Sequence, residues 1–468
     1  MNVIVNKAVT DSLPLNLDRF YHQAPITLSS NEYLDRQAAQ ESNARSYPRR
    51  FPIAISRAEG IFIEDTKGQL FIDCLAGAGT LALGHNHPDI HQALKTHLDS
   101  MAPLHTLDIT TPVKDAFVNK LFEALPDNFA QQAKVQFCGP TGADAVEAAL
   151  KLAKTATGRR SVLAFSGAYH GMTHATLGIM GDVSVKEPVH NLMAEVQFLP
   201  FPYLYRCPMG LEAEQSIDSN LHYIENMLND SHSGVLPPAA LIVEAIQGEG
   251  GAIPAPTRWL KELRRITKEH NIPLILDEVQ CGMGRSGKMF AFEHADIEPD
   301  IIVISKAIGG GLPLSVIVYN QELDTWGPGA HTGTFRGNQL AMVAGKVVLE
   351  TIAEQNLCKN AEKMGELLKA HLLELQAECS YIGDVRGQGL MLGVEIVDPR
   401  ENTSPAPTFK ELASIIQRQC LQNGLILESG GRNDSTLRFL PPLIIKEDEV
   451  NLVAGIFKKS VIEGVNQL

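Results

Sequence analysis

The sequence predicts an α/β protein in which a large domain on a mostly parallel sheet is joined to a smaller α+β domain. Three observations carry that prediction. Strand-sized apolar runs alternate with helical patterns from about residue 80 to 345, the order required by a sheet covered with helices on both faces. Ionisable residues end two of those runs, at Asp277 and Lys306, where open α/β sheets keep their ligands. Beyond residue 345 charge rises, and helical runs alternate with isolated strands.

Taken in order, residues 1 to about 45 are polar and irregular and read as an N-terminal arm. Met1 to Lys7 lack a cationic segment followed by a long apolar stretch, so no secretory signal is expected. Residues 61–73 alternate on both sides of Lys67-Gly68 and predict a hairpin. Strands are expected at 134–138, 161–165, 240–246, 272–279, 301–306 and 314–319, with helices at 144–155 and 257–270. A helical run begins near Gln339 and continues through 359–377. A strand at 390–397, a helix at 409–423 and a closing helix from Glu447 follow, with Gly430-Gly431 and Pro441-Pro442 marking loops. No internal repeat and no low-complexity tract interrupts this order.

The 468 residues suggest roughly two to four domains. A composition of 44% hydrophobic and 20% charged residues can bury a large core. The net charge of −14 disfavours nucleic acid or an anionic membrane as a general partner. It leaves room for an anionic substrate, because a few arginines can reverse the field inside a pocket. The seven cysteines are scattered and form no CxxC pair, which reads as the reduced thiols of a cytoplasmic protein. No apolar run is long enough to span a membrane.

The chemistry centres on Asp277-Glu278-Val279-Gln280 and Lys306. One acid and one amine, each carried to the same sheet edge by a buried strand, is what a pyridoxal phosphate enzyme needs. The lysine forms the Schiff base, and the acid holds the pyridine nitrogen protonated so that the ring absorbs electrons. Gly139-Pro-Thr-Gly142-Ala143-Asp144, between a strand and an alanine-rich helix, reads either as an anion cradle or as a plain turn with Asp144 near the N-cap. Tyr169, between Gly167 and Gly171, reads either as a ring that stacks on a flat cofactor or as a buried turn residue. Arg438 lies in a largely apolar run and needs an anion. Glu249, in a strand-end segment with Glu244, can supply it, as can a substrate carboxylate in turn; a permanent interdomain salt bridge is the other reading. The loop from His331 to Asn338 carries hydroxyls that suit a phosphate, or is simply a loop. His85 and His87 form an HxH with no third ligand at a helpful spacing, so no metal is expected.

The order of these pieces resembles the class III (ω-amino-acid) aminotransferases of the fold-type I pyridoxal phosphate enzymes, over about residues 45 to 445. The resemblance implies a large pyridoxal-phosphate-binding domain at 80–345 and a small C-terminal domain at 346–468, to which an N-terminal segment within 1–79 contributes. It implies pyridoxal 5'-phosphate held by Lys306, with Asp277 on the ring nitrogen, Gln280 at the ring hydroxyl, Val279 over one face and Tyr169 over the other, and His170 beside them. Thr141, Gly142 and Ala143 match the phosphate turn. Thr334 matches a threonine that reaches the phosphate from a neighbouring subunit, which implies a homodimer with shared active sites. Glu249 and Arg438 match a gating pair: the glutamate covers the arginine while a diamino acid reacts by its ω-amine, then yields it to the α-carboxylate of a 2-oxo diacid. The cycle is ping-pong, between pyridoxal and pyridoxamine phosphate.

Met172 follows Gly171 where ornithine-type members carry an arginine, which argues against ornithine. The stretch from Cys74 to His85 and the segment from Arg45 to Pro52 look most like the branch that moves the 4-amino group of L-2,4-diaminobutyrate to 2-oxoglutarate, giving L-aspartate 4-semialdehyde and L-glutamate. Tyr47 and a nearby arginine, Arg49 or Arg50, are then candidates for the donor carboxylate; a solvated basic loop is the other reading, and the preferred one for the two arginines. Other donors (4-aminobutyrate, ornithine, acetylornithine, a polyamine), an aminomutase that needs no 2-oxo acid, and a cofactor-binding regulator are the alternatives. The regulator lacks any basic nucleic-acid module in this chain.

Overall fold

The computed structural model describes residues 14–401 and 403–468. The expected arm begins on residues outside that range, and so does the expected lack of a leader. Within the range the arm is less irregular than its composition suggests, with short helices at Leu17–Tyr21 and Glu32–Gln40. Asparagines start both. The Asn31 side chain accepts from the amides of Tyr33 and Leu34 at 3.0 Å, and Asn16 accepts from Arg19 at 3.0 Å. Such caps satisfy amides that a helix start leaves without partners.

The large sheet has seven strands in the order Ala133–Phe137, Val316–Asn320, Ile301–Ile304, Leu274–Asp277, Ala240–Val243, Val162–Phe165, Val196–Leu199. All neighbours pair in parallel except Val316–Asn320, which is antiparallel to both of its own. The expected mostly parallel sheet is therefore present. Both faces are covered, as the unbroken apolar runs require. Ile275, Ile301 and Val303 pack against Ala145, Ala148, Ala149 and Leu152 of the helix Gly142–Thr157. Leu276, Ile302 and Ile304 point the other way, into the core that holds Phe165, Trp259 and Phe292. Alternate residues thus feed opposite layers. The alanines let the helix lie close to the sheet, which brings its first turn to the carboxyl ends of the strands.

The C-terminal region forms an antiparallel sheet in the order Ile382–Gln388, Met391–Ile396, Thr436–Phe439, Glu428–Gly430. The helices Leu357–Glu378, Lys410–Gln422 and Glu447–Val465 belong to the same region. The hairpin strands Phe62–Asp65 and Leu70–Asp73 pair antiparallel, and the second continues in parallel with Leu425–Ile426. One sheet thus joins an early and a late part of the chain. Among the described residues no helix is long and apolar enough to cross a membrane. All seven cysteines are free.

Candidate active site

Five strands that run in the same direction end at one edge of the large sheet, and the loops beyond them surround a cavity of about 410 Å³. Thr141, Gly142, Ala143, Tyr169, His170, Glu244, Glu249, Asp277, Val279, Gln280 and Lys306 line it. Asp277 is the last residue of its strand, and the pleat sends its neighbour Glu278 the other way. Asp277 accepts from His170 Nδ1 at 2.7 Å and from the Val279 amide at 3.0 Å. Burial by itself would lower the His170 pKa, but the Asp277 carboxylate reverses that and raises it. Nε2 of the same ring is buried without a partner. Glu278 is fully buried and accepts from the amides of Ala291 and Phe292 at 2.8 and 3.0 Å, and burial pushes it up to about 8. Glu244 accepts from the Tyr169 and Gly248 amides at 3.0 and 2.9 Å, tying together two loops of the cavity wall; burial pushes it up to about 7.

Lys306 follows the strand Ile301–Ile304 and takes φ +49, in the left-handed region. A non-glycine residue there is strained, and such strain persists where the surroundings fix the side chain's direction. Burial lowers its pKa against the pull of Glu249, so the amine gives up its proton more readily.

The helix Gly142–Thr157 begins at the cavity, with Thr141 as its cap: the hydroxyl accepts from the Asp144 amide at 3.3 Å. The cap is thus Thr141, and Asp144 lies in the first turn. A helix start of this kind presents free amides and a positive dipole end to an anion. A Cβ on Gly142 would stand 3.0 and 3.1 Å from the Val279 methyls, so a larger residue would push the helix start and the Asp-Glu-Val-Gln turn apart.

Arg438 enters from the strand Thr436–Phe439 of the C-terminal antiparallel sheet and is buried. Its Nη2 donates to Glu249 Oε1 at 2.6 Å, and its Nη1 to Gln280 Oε1 at 3.4 Å. Burial would raise the Glu249 carboxyl, but the Arg438 guanidinium outweighs it and holds the group below its usual value. A second carboxylate that sequence reasoning missed, Glu428, sits opposite Arg438 in the sheet register, with Oε2 at 4.0 Å from Nη2. Its readable signal was an acid and an arginine at matching ends of a hairpin that turns through Gly430-Gly431. Tyr47 donates to Glu428 at 3.2 Å and does not line the cavity. Arg50 is no solvated loop residue: it pairs with Glu428 Oε1 at 3.3 Å and donates to the Ser429 carbonyl at 3.1 Å. Arg49 donates to the carbonyls of Arg45 and Asn43 on the surface.

Thr334 opens the short turn Thr334–Gly337, is exposed, and stands outside the cavity of its own chain. His85 is taken by Asp73 at 2.8 Å. Cys138, Asp144 and His331 come within 4.8 Å of one another. Asp144 already pairs with His331 at 3.2 Å, and burial keeps the Cys138 thiol protonated, so these donors do not make a convincing metal site.

The sequence model of the aminotransferase class-III family matches residues 43–461. A diaminobutyrate--2-oxoglutarate aminotransferase of Rhizobium meliloti (strain 1021) is 53% identical over 90% of this chain and 91% of that protein. One of the same name from Haemophilus influenzae (strain ATCC 51907 / DSM 11121 / KW20 / Rd) is 51% identical over 94% and 97%. Among solved structures, an amine transaminase from an uncultivated Pseudomonas species in its PLP-bound form superposes with a TM-score of 0.81 and 29% identity, covering 91% of this chain and 97% of that one.

Proposed function

The chain belongs to the class-III aminotransferases, and from that premise we propose that it moves the 4-amino group of L-2,4-diaminobutyrate to 2-oxoglutarate, giving L-aspartate 4-semialdehyde and L-glutamate. One observation carries the reading. Lys306 and Asp277 share a cavity with Glu249, whose partner is the buried Arg438, in a chain 53% identical to a protein named for this reaction.

The cavity fits pyridoxal 5'-phosphate. Asp277, buried and hydrogen-bonded by His170, suits a protonated ring nitrogen, and the helix start at Gly142 suits the phosphate. Val279, Tyr169 and Gln280 line the same cavity, which supports giving them the walls and the polar edge of a flat ring. Once bound, the cofactor supplies an electron sink for the carbon that exchanges its amine. The residues do the rest. Asp277 keeps the ring nitrogen charged, and His170 fixes the direction of that carboxylate. Lys306 would hold the cofactor until the donor's amine displaces it, and the freed Nζ, with its pKa lowered by burial, would then take and return the proton at the reacting carbon. While the donor's ω-amine reacts, Glu249 covers Arg438. When 2-oxoglutarate enters, Glu249 turns aside and the guanidinium grips the α-carboxylate through two parallel bonds. Glu428, held by Tyr47 and Arg50, remains beside Arg438 in both phases.

Thr334 is assigned to the phosphate of a second copy, which makes the protein a homodimer with shared sites; the exposure of Thr334 supports this. We divide the chain into a segment at 1–79, a large domain at 80–345 and a small domain at 346–468, supported by the pairing of Leu70–Asp73 with Leu425–Ile426. Free cysteines support a cytoplasmic home.

The test is a donor panel read by cofactor absorbance. L-2,4-diaminobutyrate should bleach the band of the purified enzyme and 2-oxoglutarate should restore it. No bleaching by diaminobutyrate, or bleaching that 2-oxoglutarate does not reverse, would sink the proposal.

A further inference from the structure

A second cavity, of about 270 Å³, adjoins the first and shares Tyr169, Met172 and Glu249 with it. Arg432 is the one cation among its described lining residues. Other arginines nearby have carboxylate partners: Arg438 has Glu249, Arg50 has Glu428, and Arg386 has Asp384 and Glu395 at 2.9 and 2.8 Å. Arg432 differs. Its guanidinium lies 6.0 Å from the Tyr203 ring centroid and makes no ion pair or side-chain hydrogen bond among the described residues. Burial lowers its pKa, with Tyr203 opposing. A half-buried guanidinium without an anion is costly, and it is a ready fork for a carboxylate.

The chain is shaped to hold it there. A Cβ on Gly167 would stand 2.2 Å from Arg432 Nη1 and 2.3 Å from Nη2, so the guanidinium rests against that glycine, two residues before Tyr169. The Gly431 amide donates to the Glu249 carbonyl at 2.8 Å, which ties the Arg432 turn to the loop of the gating glutamate. Gly431 takes φ +71 without cost before the arginine, and Asn433 and Asp434 take φ of +56 and +52 after it, so the turn is strained on its far side. Asp182, Glu249 and Asp434 also line the cavity. Asp434 is engaged by Lys410 at 2.8 Å, whereas Asp182 accepts from Ser184 through Oδ1 and keeps Oδ2 free among the described residues.

We propose that Arg432 binds the α-carboxylate of the amino donor, with Asp182 favouring the donor's α-ammonium, so that the amino-acid head occupies this side cavity while the ω-amine lies in the catalytic one. The assignment rests on the diamino-acid reading above. It supplies the donor carboxylate with a partner in a chain that has Met172 at the junction of the two cavities.

The experiment compares two donors that differ only in the carboxylate, L-2,4-diaminobutyrate and 1,3-diaminopropane, by single-turnover bleaching of wild type, Arg432→Gln and Arg432→Lys. Arg432→Gln should lose about 10- to 100-fold in efficiency with diaminobutyrate, the scale of a hydrogen bond to a charged group. It should stay within about twofold of wild type with 1,3-diaminopropane, and Arg432→Lys should lose less. Equal losses with both donors, or no loss with diaminobutyrate, overturn the assignment. If Arg432→Gln does not fold, Arg432→Lys decides by the same comparison. A wild-type enzyme inert toward diaminobutyrate overturns the proposed reaction instead, a result read before any variant is made.

Discussion

Replacing Glu249 with Gln should tighten the binding of 2-oxoglutarate. Arg438 Nη2 now donates to Glu249 Oε1 at 2.6 Å, and an incoming α-carboxylate must take that donor. A hydrogen bond between charged groups contributes about 1.5–3 kcal/mol. The Glu249 side chain keeps 38% of its exposure, so water returns part of this when the bond opens. About 1–2 kcal/mol remains as the cost of opening the gate, which corresponds to a 5- to 30-fold fall in the dissociation constant for 2-oxoglutarate. Arg438 is not left bare in the variant, because Glu428 stays at 4.0 Å. The donor phase should suffer. An uncovered Arg438 attracts the donor's α-carboxylate and presents the wrong amine, so efficiency with diaminobutyrate falls. The assay loads the enzyme with amine and follows the return of cofactor absorbance over a series of 2-oxoglutarate concentrations. An unchanged or weaker dissociation constant would refute the competition on which this reasoning rests.

Lys306→Ala should abolish turnover, and borohydride reduction should label the peptide holding residue 306 in wild type only; a variant at the wild-type rate removes the lysine from the mechanism. His170 holds its proton more tightly in the folded chain, burial notwithstanding, because of Asp277. Its contribution to stability is therefore full below the ordinary histidine value of 6.5 and is lost as pH rises through the raised native value. The advantage of the cofactor-free wild type over His170→Gln in urea midpoint should shrink across that window; a constant advantage contradicts the pairing. Gly171→Ala places a Cβ 2.5 Å from Ala143 Cβ and 2.9 Å from its Cα, at φ +124. The expected loss is about 2–3 kcal/mol with weakened cofactor binding, read by thermal melting with and without the cofactor. Thr334→Ala should weaken cofactor binding in equilibrium dialysis although the residue stands outside its own chain's cavity, and sedimentation should give a dimer for the wild type.

The fold was legible where burial is two-sided. Runs such as Ile301–Ile304 and Leu274–Asp277 are apolar at every position because both layers press on them, and no helix period competes with that pattern. The edge strand Val196–Leu199 escaped notice for the opposite reason. It pairs on one side only and is mostly half-buried, with Gln197 at its centre and a long irregular approach. The short helices of the arm were hidden too, because Asn16 and Asn31 caps start them while the second buries no residue and the first buries only Phe20.

The site divides along the same line. Asp277, Lys306 and the Gly142 turn announce themselves locally, each as a polar or flexible break at the end of an apolar strand. Glu428 and Arg432 do not. Each lies in a polar loop-like stretch and gains much of its meaning from residues far away in the chain: Glu428 from Arg50, beyond its hairpin partner Arg438, and Arg432 from Gly167 and Glu249. In the proposed reading, the residues given to the cofactor follow strand ends of one sheet, so sequence order preserves their spacing. Of those given to the substrate, Arg438, Glu428 and Arg432 lie on the hairpin that turns through Gly430-Gly431, whereas Glu249 and Asp182 lie on loops of the large-sheet region, and the two groups meet only after folding. On that reading, a change of donor through Arg432 or Glu428 leaves Lys306 and Asp277 fixed, because the hairpin and the strand ends belong to different sheets.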